Sequence, residues 1–461
     1  MKQRSARAPW LDDESFTAVA IANAVRTGRC APGDPVRASL DAIGRLDPEI
    51  GAFACVRYHR ALAEADALSS RPDLGDLPLA GVPIAIKDNI EVEGEVMQAG
   101  TRAGAPPIEE SDHPVVARLR AAGAVVVGQT TMCELAAWPF TDSPGHVTRN
   151  PWNLERTAGG SSGGAAAAVA AGMVPVAHGN DGFGSVRVPA ACCGLFGIKP
   201  GRGVVPSQIG LDSWSGQAEN GVLSTSVADA ALVLAVMADE PDLSRVRRAK
   251  PLRIGLSTAS VSPLVRVDQE WARAARTAAT VLGDVGHDVR TVDVPYPKVP
   301  VAAVSRWLAN AAKDIAELDR KLVQPRNRWH AALGRAVQRA GLVRKSDVDD
   351  IEQAMFALFA DIDLLITPTL AKPPSAAAAW SERSWFSNVV AGIGYAPLAG
   401  TWNLLGWPGA SVPVGMHTVS RTPVAAQIIA KPGRERDILA IARQIESRRP
   451  WRSRAPRMLV P

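Results

Sequence analysis

Residues 159–185 read GGSSGGAAAAVAAGMVPVAHGNDGFGS. Glycine in the interior of a helix or strand costs about 0.5–1 kcal/mol, so a cluster of glycines marks backbone that bends tightly or passes close to another group. Three serines, Ser161, Ser162 and Ser185, stand among them, with Asp181 between. Serines in such loops are placed for exposure and hydrogen bonding, and they can bind, cap or react. The alanine-rich residues 165–171 suit a tightly packed helix.

The chain has 461 residues, enough for one large domain or two to three ordinary ones. The formal net charge is only +5. Its basic residues are scattered, with one local cluster at 448–457 and no aromatic–basic interleaving, which argues against a nucleic-acid partner. The five cysteines (Cys30, Cys55, Cys133, Cys192 and Cys193) are odd in number and lack CxxC spacing. Neither a disulfide framework nor a zinc site is suggested, and a reducing, cytoplasmic setting is expected. The first residues, MKQRSARAPWLDDESF, contain no apolar segment of the kind a signal peptide needs. No run approaches the ~18 apolar residues that a membrane span requires.

Helical spacing recurs through residues 12–70, and 80–86 form an apolar run ending at Lys87-Asp88-Asn89 that reads as a strand buried on both faces. Residues 113–122 read as a helix and 124–128 as a second buried strand. Further strands are expected at 173–177, 252–256, 363–368, 410–414 and 424–429, and helices at 227–237, 269–282 and 437–446. This alternation predicts a sheet covered by helices in one large α/β domain. Residues 300–345 have helical but irregular patterning and carry no readable motif.

Lys87 has two readings. A strand-end lysine can extend its amine to water. Alternatively the amine is desolvated; lysine titrates near about 10.4 in water, and burial lowers that by about 3–5 units, giving a neutral general base. Ser161 and Ser162 precede the alanine-rich helix and could cap it. Free N–H groups there could instead hold an anion, although the trailing Gly-Lys-Ser/Thr of a phosphate loop is missing. Residues 159–163 also match GxSxG, a pattern that needs an acid and then a histidine downstream. His178, His287, His330 and His417 lie downstream, and none stands in a partner motif. Ser185 follows Asp181-Gly-Phe-Gly184, where it could cap a turn or lie beside amides arranged for an oxyanion.

Taken together, these pieces resemble the amidase signature family. Gly81-Val-Pro-Ile-Ala-Ile-Lys-Asp-Asn89 is similar to its lysine motif. The stretch from Asn150-Pro-Trp152 to Pro200 is similar to its signature segment, and residues 401–413, TWNLLGWPGASVP, to its C-terminal motif. The resemblance covers nearly the whole chain, with three motifs in order. It implies one domain over 1–461 with a central mixed, twisted β-sheet covered by helices on both faces. Within it, 12–75 would be an N-terminal helical region and 76–245 the catalytic core. Residues 246–345 would be a variable helical region, and 346–461 the strands and helix completing the core.

The resemblance further implies a Ser–cisSer–Lys unit acting on a carboxylic amide through an acyl-enzyme. Ser185 would be the nucleophile, Ser161 the proton relay after a cis peptide at Gly160, and Lys87 the base. Ser162 would support Lys87, while Asp181 and Arg187 would brace the loop. The amides of Gly182, Phe183, Gly184 and Ser185 would form the oxyanion hole. No cofactor or metal is implied. The expected partner is a small-molecule amide or carbamate, with no nucleic acid and no membrane, and the protein would be a monomer or homodimer.

Three positions depart from the family pattern of Gly-Thr-Asp-x-Gly-Gly-Ser and its neighbourhood. Asn180 replaces a threonine, and Phe183 replaces the first paired glycine. Phenylalanine takes positive φ only at a cost, so either position 183 does not need it or Gly182 bends instead. Thr131 stands where the family often has asparagine, and this change and those in the loop are expected near the acyl group. Met132, Trp138, Phe183, Trp214, Trp307 and Trp402 are candidates for an apolar pocket favouring aryl or long-chain amides. Carbamate or ester hydrolysis at the same site, an amidotransferase subunit and a non-catalytic binding protein remain alternatives.

Overall fold

The computed structural model describes residues 16–210, 212–296, 299–316, 318–452 and 454–456. Residues 1–15, on which the signal-peptide reading and the start of the N-terminal helical region fall, lie outside it, as does Arg457 of the basic cluster.

An 11-stranded sheet organises the chain. In chain order its strands are β1 (Phe53–Val56), β2 (Pro83–Lys87), β3 (Val125–Thr130), β4 (Val176–Asp181), β5 (Phe196–Lys199) and β6 (Glu219–Ser224). They continue as β7 (Arg253–Leu256), β8 (Asp288–Thr291), β9 (Leu364–Pro368), β10 (Gly409–Met416) and β11 (Pro423–Ala430). The spatial order is β1-β3-β2-β4-β6-β5-β10-β11-β9-β7-β8. Pairing is parallel for β3-β2-β4 and for β9-β7-β8 and antiparallel elsewhere, so the sheet is mixed.

Every residue of β2, β3, β4 and β6 is buried. Successive side chains point to opposite faces, so these central strands are covered on both sides. The helix Gly163–Ala170 is buried at every position and packs on β2, β4 and β6, an approach that alanine side chains permit. The helix Arg187–Cys193 packs on β5, β10 and β11. The helix Gln269–Asp284 starts at Asp268, whose carboxylate accepts from the Glu270 and Trp271 amides, and it buries Trp271, Ala275, Ala278 and Leu282 along one stripe.

The structure extends the expected pattern in places. β1 is a strand inside a region read as helical, and β5, β6 and β8 have no counterpart in the expected list. Three of these have four residues, too few for periodicity to register, and β6 opens with Glu-Asn-Gly, residues depleted in strands. The strand expected at 173–177 begins at Val176 and runs to Asp181, pairing with β6 as Asn220↔Asn180 and Glu219↔Asp181. Asn180 and Asp181 therefore belong to a strand end rather than a loop. Residues 300–345 fall largely in the paired helices Val299–Asp314 and Pro325–Arg339, followed by Lys345–Asp361. All five cysteines are free. Among the described residues, no helix is long and apolar enough to cross a membrane.

Candidate active site

Lys87 is the last residue of β2 and is fully buried. Its Nζ lies 2.8 Å from Ser161 Oγ, 2.7 Å from Asn180 Oδ1 and 3.4 Å from the Asn180 carbonyl oxygen. Burial lowers its pKa to about 7, against a partial upward pull from Cys133 and Asp181. His178, on β4 beside it, is held near about 3 by burial and stays neutral, adding no positive charge. A neutral amine has two N–H donors and one lone pair. Asn180 offers two acceptors, which leaves the lone pair for the Ser161 hydroxyl, so the amine can take that proton. Asn180 is itself held by Asn89: its Nδ2 donates to Asn89 Oδ1 at 2.6 Å, and Asn89 Nδ2 donates back at 3.2 Å.

The Gly160–Ser161 peptide is cis. A Cβ on Gly160 would meet the Phe140 backbone at 2.6–2.8 Å, so no larger residue fits there. Ser162 differs from its expected role. Its Oγ donates to the Asn180 carbonyl at 3.2 Å and makes no hydrogen bond to Lys87. It sits at the N-cap of the following helix without capping it, because the hydroxyl is turned toward β4. Ser162 Oγ and Lys87 Nζ thus both approach the Asn180 carbonyl oxygen. The Ser162 amide also donates to the Ser185 carbonyl at 3.2 Å, tying the two halves of the glycine–serine run together.

The second half is organised by Asp181. Its carboxylate accepts from Arg187 Nε at 2.9 Å and Nη2 at 3.0 Å, both side chains being fully buried. It also accepts from Asn403 Nδ2 at 2.9 Å and from the Gly184 amide at 2.6 Å. Burial alone would raise this carboxyl. The Arg187 charge and hydrogen bond, with Lys199 and Asn403, outweigh that and hold it well below the usual carboxylate range. Positive φ falls at Gly184 (119°), whereas Phe183 and Gly182 keep ordinary backbone, so position 183 tolerates a side chain. The Gly184 amide, expected in the oxyanion hole, is already engaged by Asp181. Among the described residues, the amides of Gly182, Phe183 and Ser185 have no acceptor in the protein, and neither does Ser185 Oγ a hydrogen-bond partner.

A buried lysine is thus paired with a cis serine beside a braced Gly-rich loop. The family model "Amidase" matches residues 34–439. The chain belongs to the amidase family. It is 40% identical to the AmiB2 protein of Mycobacterium tuberculosis (strain ATCC 25618 / H37Rv), over 90% of this chain and 92% of that one. It is 31% identical to the 6-aminohexanoate-cyclic-dimer hydrolase of Paenarthrobacter ureafaciens, over 96% and 97%. A solved 6-aminohexanoate cyclic dimer hydrolase with bound substrate superimposes with a TM-score of 0.85 at 28% identity, covering 98% of this chain and 100% of that one. A bacterial aryl acylamidase of the amidase signature family gives 0.81 at 26%, covering 95% and 97%. The chemistry of this amidase is amide hydrolysis.

Two cavities meet at Ser185 of the amidase. The larger, about 240 Å³, reaches Ser161, Asn180 and Ser185 and is walled by Met132, Trp214 and Leu318. The smaller, about 70 Å³, is enclosed by Trp138, Phe183 and Trp307, and Trp214 borders both. Phe183 stacks on Trp307 with centroids 6.3 Å apart, and Trp307 meets Trp138 edge-on at 5.2 Å. Trp402 is a correction: it is fully buried in a separate core cluster with Trp407 and Phe359 and lines neither cavity. Thr131 also lines neither. Its hydroxyl hydrogen-bonds the Gly51 and Ala52 carbonyls and Thr148, fastening the β3 end to neighbouring loops. Residues 300–345, unreadable in sequence, contribute Val304, Trp307, Asp314 and Leu318 to the cavity walls. Asn89 and Asp314 were not singled out for the site from sequence. Asn180 had a signal, as a departure from the family pattern.

Proposed function

We propose that this amidase is a serine hydrolase that cleaves amides through an acyl-enzyme on Ser185. Ser185 Oγ attacks the carbonyl carbon while its proton passes through Ser161 to Lys87 Nζ. The oxyanion is held by the amides of Gly182, Phe183 and Ser185. The Lys87 ammonium returns a proton through Ser161 to the leaving nitrogen. The C–N bond breaks, and water then cleaves the ester by the same relay. No metal or organic cofactor enters the scheme.

The observation that carries this reading is the 2.8 Å contact between Lys87 Nζ and Ser161 Oγ, at the floor of the cavity that Ser161 and Ser185 share. An amine lowered to about 7 is a base at neutral pH. The aromatic walls at Trp138, Phe183 and Trp307 support apolar or aryl amides as substrates, in keeping with the likeness to an aryl acylamidase. A matched anilide, carbamate and ester assayed in parallel rank the leaving groups, with Ser185→Ala as control. Intact mass spectrometry of the wild type should trap an acyl adduct on Ser185. Undiminished turnover by Ser185→Ala would sink the nucleophile assignment. Equal rates on acetamide and an anilide would sink the substrate class.

A further inference from the structure

The last residue of the helix Val299–Asp314 places a carboxyl in the wall of the larger cavity, the one that holds Ser185. Trp214 Nε1 donates to Asp314 Oδ2 at 2.9 Å. Among the described residues, Oδ1 receives no hydrogen bond and no cationic side chain pairs with the group. The adjacent Lys313 pairs with Asp212 at 2.6 Å instead. The cavity that Asp314 lines is also walled by Met97, Leu135, Ile209 and Leu318. A carboxylate in such surroundings is costly unless a cation or donor meets it. Burial pushes this one up to about 7; the Trp214 hydrogen bond and the nearby Lys313 charge oppose the rise, and Asp212 adds to it.

One role for Asp314 is within the fold: Oδ2 anchors the Trp214 ring, whose backbone stands at φ 55°. That role needs a single acceptor, which asparagine would supply equally well. It leaves the second oxygen and the negative charge unused, in a cavity otherwise neutral around Ser185.

We propose that Asp314 receives a cationic nitrogen of the substrate. The favoured substrates are then amides whose apolar arm, alkyl or aralkyl, fills the larger cavity and ends in an ammonium group. The scissile carbonyl sits at Ser185 and the ammonium donates to Asp314 Oδ1. This substrate class rests on the assignment of Ser185 as the nucleophile.

The test uses two substrate pairs at pH 8.5, where Asp314 is ionised and Lys87 neutral. One pair is an ω-aminoalkanoyl anilide with its alkanoyl counterpart. The other is an alkanoyl amide of a diaminoalkane with that of the matching alkylamine. In the wild type, kcat/KM is higher for the charged member of at least one pair. In Asp314→Asn the charged-to-neutral ratio of that pair drops about tenfold or more, the scale of one hydrogen bond to a charged group. An alkylammonium ion should also inhibit neutral-anilide turnover by the wild type more tightly than the alcohol of equal length, a comparison that needs no variant. The proposal is overturned by a wild type that prefers neither charged member and is not selectively inhibited by the ammonium ion. It is equally overturned by an Asp314→Asn ratio within about twofold of the wild-type value. Ser185→Ala separates the two readings: its loss of activity on both members keeps the nucleophile in place whatever the ratio does.

Discussion

Lys87 Nζ and Asn180 Oδ1 lie 2.7 Å apart, and Asn180 is the residue that stands where the family pattern has threonine. The carboxamide oxygen takes one N–H of the amine and its own backbone carbonyl faces another. Asn180→Ala removes the side-chain acceptor and leaves the amine free to rotate. The expected loss is about 10–100-fold in kcat with KM changed less, because the proton relay is hit harder than the cavity wall that Asn180 also forms. An acceptor favours the ammonium form, so its removal also lowers the Lys87 pKa further. The acid limb of the pH–rate profile should therefore move to lower pH. A loss of kcat with an unmoved limb would assign Asn180 a packing role only.

Lys87 has a folded pKa of about 7 against an ordinary value of 10.5. If it is the base, activity rises as pH rises through about 7, because the amine must be neutral. Stability follows the same sign. Between these two values the unfolded chain binds the proton and the folded chain does not, so this residue's contribution to stability increases with pH across that window. At neutral pH a methionine removes the cost of a buried ionisable amine and forfeits its hydrogen bonds. Lys87→Met should gain about 1–3 kcal/mol net, seen as a higher Tm at pH 7, while turnover collapses. A variant that is both active and less stable would refute both halves.

The legible part of this molecule was its backbone logic at Lys87, Ser161 and Ser185. The motifs there combine glycine, serine and one charge in an order that admits few structures. The sheet was legible where strands were long and apolar, as in β2, β3, β10 and β11. It was not where four residues, such as Phe196–Lys199, pair in the middle of the sheet without any pattern of their own. The cavity walls were half legible. Trp138 and Trp307 stood among the pocket candidates, yet so did Trp402, which long-range packing against Trp407 and Phe359 draws into the core. Nothing local distinguishes these tryptophans. Asp314 lies at the end of an irregular helix, and only the fold brings it to Trp214, 100 residues earlier.

The Asp181–Arg187 pair is fully enclosed, and each member has further buried partners: Asn403 serves both, and Gln427 accepts from Arg187 at 2.8 Å. Breaking one side leaves a buried charge unpaired, which costs about 3–5 kcal/mol. Arg187→Met should therefore lower Tm markedly and disorganise the amides that Asp181 fixes, so activity falls with it. Arg187→Lys cannot reproduce the fork of Nε and Nη2 contacts and should recover only part of either. Asp181 is held below its ordinary pKa, so the stability it contributes is present above the unfolded carboxylate range and is lost as pH falls through the folded value. An acid titration in which wild type and Arg187→Met lose stability in parallel would contradict that coupling.

Phe183 shapes the smaller cavity from two sides. Its ring stacks on Trp307 and lies so close to Gly400 that a Cβ there would approach it at 2.9 Å. Phe183→Ala opens the cavity beside Ser185 at a cost of about 1–3 kcal/mol, less than for a fully buried ring because Phe183 is half-buried. The backbone amide at 183 stays in place, so turnover of small anilides should persist. Selectivity for bulky over small aryl amides should rise about tenfold, the scale that pocket size sets for apolar groups. Gly400→Ala makes the opposite change: it pushes the ring into the cavity, and bulky substrates should suffer first. The two variants together decide the matter. Opposite shifts in the bulky-to-small ratio assign Phe183 to substrate selection. Shifts of the same sign would mean that both merely loosen the loop, and the pocket's size would then have to be set by Trp138 and Trp307 alone.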